Sequence, residues 1–398
     1  MIAKNMTDIV SKSSEIRKMF EEGMALAKKI GKENVYDFSL GNPSVKPPEK
    51  IKEAVKDILD NKDPNYVHGY MANAGYPEVR ETIAESLNKR FGTDFVSTDI
   101  IMTVGAAGGL NVMMKTLLDP GDEVIVFAPF FGEYRNYVSN FKGNIVVIPA
   151  DTETFHLRLD LLEDAVTEKT KAIIINNPNN PSGVIYKADE LKELDGILKK
   201  CEERIGHPVY VISDEPYREL AYDGAEVPFI TTCIKNAIVG YSYSKSLSLP
   251  GERIGYLAIP SQIDDHDNVR DAAIAANRIL GYVNAPSLMQ LVIRECVDEK
   301  CDVDAYDRNR RLLYEGLTDL GFTCIKPEGA FYLLLKSPDP DEHVFIDAAK
   351  KYGILTVSTA SFGCAGYVRI AYCVSEDTIV RSMPQFAKVA ADLGVTKA

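Results

Sequence analysis

No apolar run in this chain reaches the ~20 residues needed to cross a bilayer as a helix, so a membrane-spanning protein is excluded as the first reading. The opening stretch, MIAKNMTDIV, has no apolar core of the kind a signal peptide carries. Positive charge is in short supply: 45 Lys and Arg stand against 58 Asp and Glu, a formal net charge of -13. Such a chain repels phosphate backbones and anionic lipid, which argues against nucleic acid or a membrane surface as partner. Internal repeats, low-complexity tracts and long polar linkers are missing. So is any Cys-x-x-Cys pair, and Cys296 and Cys301 have no histidine nearby, which speaks against zinc. The seven cysteines, odd in number and widely spread, read as reduced thiols in a cytoplasmic protein.

What remains is the composition of an ordinary soluble globular protein, 45% hydrophobic and 26% charged. At 398 residues the chain is too long for one core, and more than one domain is expected. Between residues 100 and 260 it alternates short β-rich runs with helical segments. The runs are IIMTV, VIVFA, IVVIPA, AIIIN, VYVIS, AIVGYS and GYLAIP, several of them apolar nearly throughout. A strand covered by helices on both faces requires that pattern, so the region predicts a largely parallel sheet in an α/β domain. After Pro286 comes a long helical stretch, then strand-like AFYLLLK and YVRIAYCV and a helical tail, which predict a smaller α+β domain. The expected division is 1–49 as a segment packing with the small domain, 50–290 as the large domain and 291–398 as the small one.

Ligands of open α/β sheets collect beyond the carboxyl ends of the strands, and the unusual residues of this chain fall there. IIMTV is followed by Gly105-Ala106-Ala107-Gly108-Gly109, a small-residue turn opening a helix and so a ready anion site. VIVFA is followed by Pro129-Phe130-Phe131 and then Tyr134, and AIIIN by Asn177-Pro178-Asn179-Asn180-Pro181-Ser182-Gly183. VYVIS leads into Asp214-Glu215-Pro216-Tyr217, and AIVGY into Ser242-Tyr243-Ser244-Lys245, with Arg253 eight positions on. Singly, each has a plainer reading. GAAGG lacks the GxGxxG spacing of a dinucleotide site, Phe131 would more often be core, and an Asp after a strand is often a helix cap. Together, five strand ends offer an anion cradle, an aromatic, an amide, a carboxylate with a phenol, and an amine with an arginine. That inventory matches one phosphorylated aromatic aldehyde.

On these residues the chain resembles the class I and II aminotransferases, the aspartate-aminotransferase-like family of pyridoxal-5′-phosphate (PLP) enzymes with the type I fold. SYSKSLSLPGERIGY is similar to the family's lysine signature, and NPNNPSG, DEPY and VRIAY follow in the expected order. The resemblance covers nearly the whole chain and implies a seven-stranded, mainly parallel sheet in a large domain plus a smaller α+β domain. It implies PLP held as a Schiff base on Lys245, with Asp214 pairing the ring nitrogen, Tyr217 and Asn180 bonding the ring oxygen, and Phe131 stacking on the ring. The phosphate would be held around Gly105 by the N–H groups of Ala106 and Ala107, by Ser242 and Ser244, and by Arg253. Tyr70, in YMANAGYPEVR, would reach the phosphate of a neighbouring subunit, which implies a homodimer. Gly41 in SLGNP and Arg369 in VRIAY would bind the substrate's α-carboxylate, and Asn180 would also contact the substrate. Two departures stand out: Ser182 replaces a usual threonine, and VSTASFG lacks the Pro-Gly pair usual before the Ser-x-Phe-Gly element, leaving that loop's shape open.

The implied reaction moves an amino group between an L-amino acid and a 2-oxo acid by ping-pong exchange, with Lys245 as the proton carrier and no metal. A PLP-dependent β-lyase on the same scaffold would share Lys245, Asp214 and Arg369. A non-catalytic PLP-binding regulator is a more distant alternative, opposed by the acidic charge and the lack of a basic DNA-binding segment. The substrate side chain is left open. Arg278 lies near where a partner-derived arginine would meet acidic substrates, though a surface ion pair is the plainer expectation for it. Phe331, Tyr332 and Phe362, expected in loops, could face the site or belong to the core.

Overall fold

The computed structural model describes residues 2–11 and 15–397. Its strands are β1 (Tyr36–Asp37), β2 (Ile100–Thr103), β3 (Glu123–Phe127), β4 (Asn144–Ile148), β5 (Thr170–Asn176), β6 (Tyr210–Asp214), β7 (Ala237–Ser242), β8 (Gly255–Ala258), β9 (Tyr332–Lys336), β10 (Ile354–Leu355), β11 (Val357–Ser358) and β12 (Tyr367–Ala371). The seven apolar runs of the sequence are β2 to β8, and they form one sheet in the order β2-β8-β7-β6-β5-β3-β4. All neighbours pair in parallel except those of β8, which runs antiparallel to both β2 and β7.

Alternation along these strands feeds two separate cores. Ile125, Ile173 and Val211 pack into one apolar cluster, while their neighbours Val124, Ala172 and Ile212 pack into another on the opposite face. Successive side chains of a strand point to opposite faces, so a run apolar throughout is stable only with helices on both sides. Fully burying an isoleucine or valine contributes about 1.5–3 kcal/mol, and these strands hold little else.

The antiparallel sheet β11-β12-β9 lies in a third cluster, where Leu333, Leu335, Val368 and Ile370 meet Tyr36 and Phe38 from near the amino end. β1 pairs in parallel with β10, which ties the amino-terminal segment to this part of the molecule. The helical stretch after Pro286 is two helices, Ser287–Cys296 and Val303–Asp319. The break comes where the Asp302 side chain accepts a hydrogen bond from Ala305 N at 3.0 Å and starts a new helix. The first helix belongs to the core of the large sheet, the second to the cluster around β9 and β12.

All seven cysteines are free thiols. Among the described residues no helix is long and apolar enough to cross a membrane, and no group of three His, Cys, Asp or Glu side chains could hold a metal ion.

Candidate active site

Parallel strands bring their carboxyl ends to one edge of the sheet. β8 runs the other way, so its beginning reaches the same edge and carries Arg253 there. A cleft of about 280 Å³ opens along this edge. Its lining includes Gly41, Ala106, Ala107, Phe131, Asn180, Asp214, Tyr217, Ser242, Ser244, Lys245, Arg253 and Arg369. A second cavity of about 270 Å³ lies beside Arg90, Glu219 and Lys300. There Glu219 pairs with both Arg90 (2.5 Å) and Lys300 (3.2 Å), so its central charges are already matched.

One end of the cleft is built for an anion. The helix Gly105–Leu117 starts at its wall, and the first-turn N–H groups of a helix have no partner within it. Gly105 has φ 68, and a Cβ there would lie 3.0 Å from the Arg253 guanidinium, so glycine lets the arginine close on the turn. Opposite, the Ser242 and Ser244 hydroxyls meet at 2.7 Å, and Ser242 Oγ accepts from Ser244 N at 3.1 Å.

At the centre, Asp214 closes β6. Its Oδ2 accepts a hydrogen bond from the Tyr134 hydroxyl at 2.6 Å, while Oδ1 is buried with no partner. Burial pushes this carboxyl up to about 7; the Tyr134 hydrogen bond opposes the shift and the neighbouring charge of Glu215 adds to it. Lys245 sits on the short helix Tyr243–Ser246 after β7, and its Nζ donates to Gly41 O at 2.7 Å. Burial brings its amine down to about 8; Cys373 opposes the shift, and the positive charges of Arg369 and Arg253 add to it. At pH 7 about a tenth of such an amine is unprotonated and nucleophilic, far more than of an ordinary lysine. A Cβ on Gly41 would collide with the Tyr332 hydroxyl, so only glycine admits this close approach.

At the far end, Arg369 of β12 is 1% exposed. It donates to Ser39 O (2.6 Å) and to Asn180 Oδ1 (3.2 Å), and its Nε has no partner. Its guanidinium lies over the rings of Tyr332 (4.6 Å) and Phe362 (5.3 Å). Among the described residues no acidic side chain pairs with it. Tyr217 is buried, and its hydroxyl meets that of Tyr332 at 3.1 Å. The site therefore offers an anion cradle, an aromatic wall, a bare carboxylate oxygen, a reactive amine and an unmatched guanidinium within one cleft.

Every candidate residue named from the sequence lies on or beside this cleft except two. Tyr70 is 93% exposed and faces away from the chain. Arg278 is exposed on the helix His266–Ile279 and makes no ion pair among the described residues, so the surface pair expected for it is not formed within the chain. Tyr332 opens β9 rather than lying in a loop, because it continues the ladder opposite Ala371, and Phe331 just before it is core. The VSTASFG segment forms β11 and a turn that carries Phe362 onto Arg369, while the Ser182 hydroxyl donates to Asn179 Oδ1 at 2.8 Å within the Asn-Pro turn. Sequence reasoning gave no role to Tyr134 or Asn176. Asn176 donates to the Asp214 carbonyl (2.7 Å) and accepts from Asn180 N (2.6 Å), tying two strand ends together. Position at the end of β5 for Asn176, and in the turn after β3 for Tyr134, was their only signal.

The family model described as "Aminotransferase class I and II" matches residues 33–383. The chain is 30% identical over 360 residues to the aspartate/prephenate aminotransferase of Thermus thermophilus, covering 88% of this chain and 90% of that one. It is 31% identical over 392 residues to aromatic-amino-acid aminotransferase 2 of Thermococcus litoralis, covering 94% and 95%. Among solved structures, an amino transferase from Eubacterium rectale superposes with a TM-score of 0.96 at 44% identity, covering 99% of each chain.

Proposed function

The chain belongs to the class I and II aminotransferases and is a transaminase, and from that premise we propose that its cleft holds PLP with Lys245 as the covalent anchor. The observation that carries this reading is Asp214: a buried carboxyl with one oxygen held by Tyr134 and the other bare, in the same cleft as a buried amine. A protonated ring nitrogen is the partner that Oδ1 lacks. The Ala106 and Ala107 N–H groups, Ser242, Ser244 and Arg253 would hold the phosphate, Phe131 would cover the ring, and Tyr217 with Asn180 would meet its oxygen.

When bound, the cofactor supplies the electron sink for the bond broken at the substrate's α-carbon. Arg369, whose partners here are all neutral, would take the α-carboxylate by a bidentate contact and so fix which bond faces the ring. Lys245, displaced by the incoming amine, would move the α-proton, a role that typically contributes about 10²–10⁴-fold. Phe362 and Tyr332 would exclude water from the guanidinium they cover.

The exposure of Tyr70 supports a homodimer in which it completes the neighbouring site; sedimentation of an active monomer would refute that. Free thiols throughout support a cytoplasmic setting. The clusters around the large sheet and around β9 and β12 support a large domain from about 50 that runs past the expected boundary at 290 to include the helix Ser287–Cys296, and a smaller one beyond, with which the amino-terminal segment packs.

The test is the visible spectrum of wild type and Lys245→Ala, followed by single amino acids with no acceptor. A cofactor band in wild type that bleaches once, with one equivalent of matching 2-oxo acid, supports the reading, and the fastest donor names the substrate. Catalytic release of pyruvate and ammonia without acceptor would instead show elimination, for which no feature of the cleft speaks.

A further inference from the structure

We infer that Tyr134 is a positioning residue for the reaction: its hydroxyl clamps one oxygen of Asp214, so that the other oxygen alone is presented to the nitrogen of the cofactor ring. The inference rests on the reading that the cleft holds PLP.

Three observations converge on this tyrosine. Its hydroxyl lies 2.6 Å from Asp214 Oδ2, and Oδ1 of the same carboxyl is buried and unpartnered. The Asp214 backbone is already held, because Asn176 Nδ2 donates to its carbonyl at 2.7 Å and Glu215 N donates to Gly240 O at 2.8 Å. Only rotation of the carboxylate is left free, and the Tyr134 bond removes it. The Tyr134 ring is itself fixed: it is 1% exposed, with Phe131 edge-on at 5.7 Å and Phe130 at 6.5 Å. Tyr134 N also donates to Phe131 O at 3.0 Å. The residue that covers the ring and the residue that aims the carboxylate thus share one turn after β3.

The bond also has a chemical consequence. A phenol hydroxyl must donate to find an acceptor here, and an ionised carboxylate only accepts, so the bond favours the ionised form of Asp214. Burial and Glu215 act the other way. Besides Glu215, the next residue in the chain, the titratable groups facing Asp214 are Tyr134 and Tyr137 on the helix after β3 and Tyr217 in the turn after β6. None of these others donates a hydrogen bond to Asp214. Tyr134 therefore decides whether the proton shared between Asp214 and the ring stays on the ring nitrogen.

The experiment uses the holoenzyme. The pH midpoint of the visible cofactor band and the ¹⁵N resonance of the ring nitrogen in labelled cofactor are measured for wild type and Tyr134→Phe. A ring that holds its proton less firmly withdraws fewer electrons from the Lys245 linkage. The band midpoint in Tyr134→Phe should therefore rise by about one pH unit, the equivalent of one hydrogen bond to a charged group. The nitrogen resonance should move toward that of an unprotonated ring, and kcat should fall about tenfold with little change in the amino acid KM. Replacing Tyr134 with 3-fluorotyrosine, a stronger donor of nearly the same shape, should lower the midpoint, and it tests the inference even if Tyr134→Phe does not fold. An unchanged midpoint and resonance in these proteins would reduce Tyr134 to packing and overturn the inference, with the cofactor assignment intact. A wild-type protein that takes up no PLP would overturn the reading of the cleft and this inference with it.

Discussion

Two arginines are equally buried, each 1% exposed, and the molecule treats them in opposite ways. Arg310, on the helix Val303–Asp319, has every guanidinium nitrogen bonded. Asp307 Oδ1 takes Nε at 2.8 Å and one terminal nitrogen at 2.6 Å, Asp223 takes the same terminal nitrogen at 2.9 Å, and Pro327 O takes the other at 3.1 Å. Arg369 meets only a carbonyl and an amide oxygen, keeps one nitrogen bare, and lies between two aromatic rings. Removing a charge from water costs several kcal/mol unless a counter-charge and hydrogen bonds offset it. At Arg310 the chain supplies both. At Arg369 it supplies neither in full, so the remaining partner must come from a ligand. Burial alone does not separate a structural charge from a functional one; the state of its partners does.

The contrast can be broken most directly at Arg369. Arg369→Leu should lower kcat/KM for the amino acid by about 10²–10³, the loss of two charge-assisted bonds, with an unchanged or higher melting temperature. Arg369→Lys should recover little, because one ammonium cannot reproduce the fork. A large stability loss in these variants would make Arg369 structural and dissolve the contrast. The mirror experiment is Arg310→Leu. It should cost about 3 kcal/mol in denaturant unfolding, the low end for breaking a buried pair because Asp223 is half exposed, with KM little changed.

A third change extends the comparison to the other unmatched charge. The Asp214 carboxyl sits at about 7 in the folded chain against an ordinary 3.8, so it binds its proton more tightly folded than unfolded. Its contribution to stability is full below about pH 4 and is lost as pH rises through 7. In cofactor-free protein Asp214→Asn should thus be more stable than wild type above pH 7, by up to roughly 4 kcal/mol, with the gap closing toward pH 4. Thermal melts at both pH values decide it, and a constant gap would mean that Asp214 is already matched. The smallest effect is expected from Ser244→Ala, which leaves Ser242, Arg253 and the helix start in place. Cofactor retention should weaken about fivefold, the worth of one neutral hydrogen bond, as read by equilibrium dialysis.

Much of this was legible in the chain. Seven apolar runs became seven strands because a doubly covered strand tolerates almost nothing polar, and β-branched runs between helices leave few other folds. The cradle, Asp214, Lys245 and Arg253 were legible because strand ends in such a sheet converge on one edge. Tyr134 was not, since a tyrosine after a strand carries no mark of the carboxylate 80 positions on that it bonds. Nor did the pattern of β8 show that it runs antiparallel, since an apolar run reads the same in either direction.

By itself, then, the sequence determined the strand inventory, the residues at the strand ends and the membership of a family whose chemistry needs them, because periodicity and local motif are properties of the chain. Which polar atoms are left without partners was decided only in three dimensions. The bare oxygen of Asp214, the bare nitrogen of Arg369 and the lowered amine of Lys245 come from contacts between segments far apart in sequence. Whether a buried charge is matched depends on everything that packs around it.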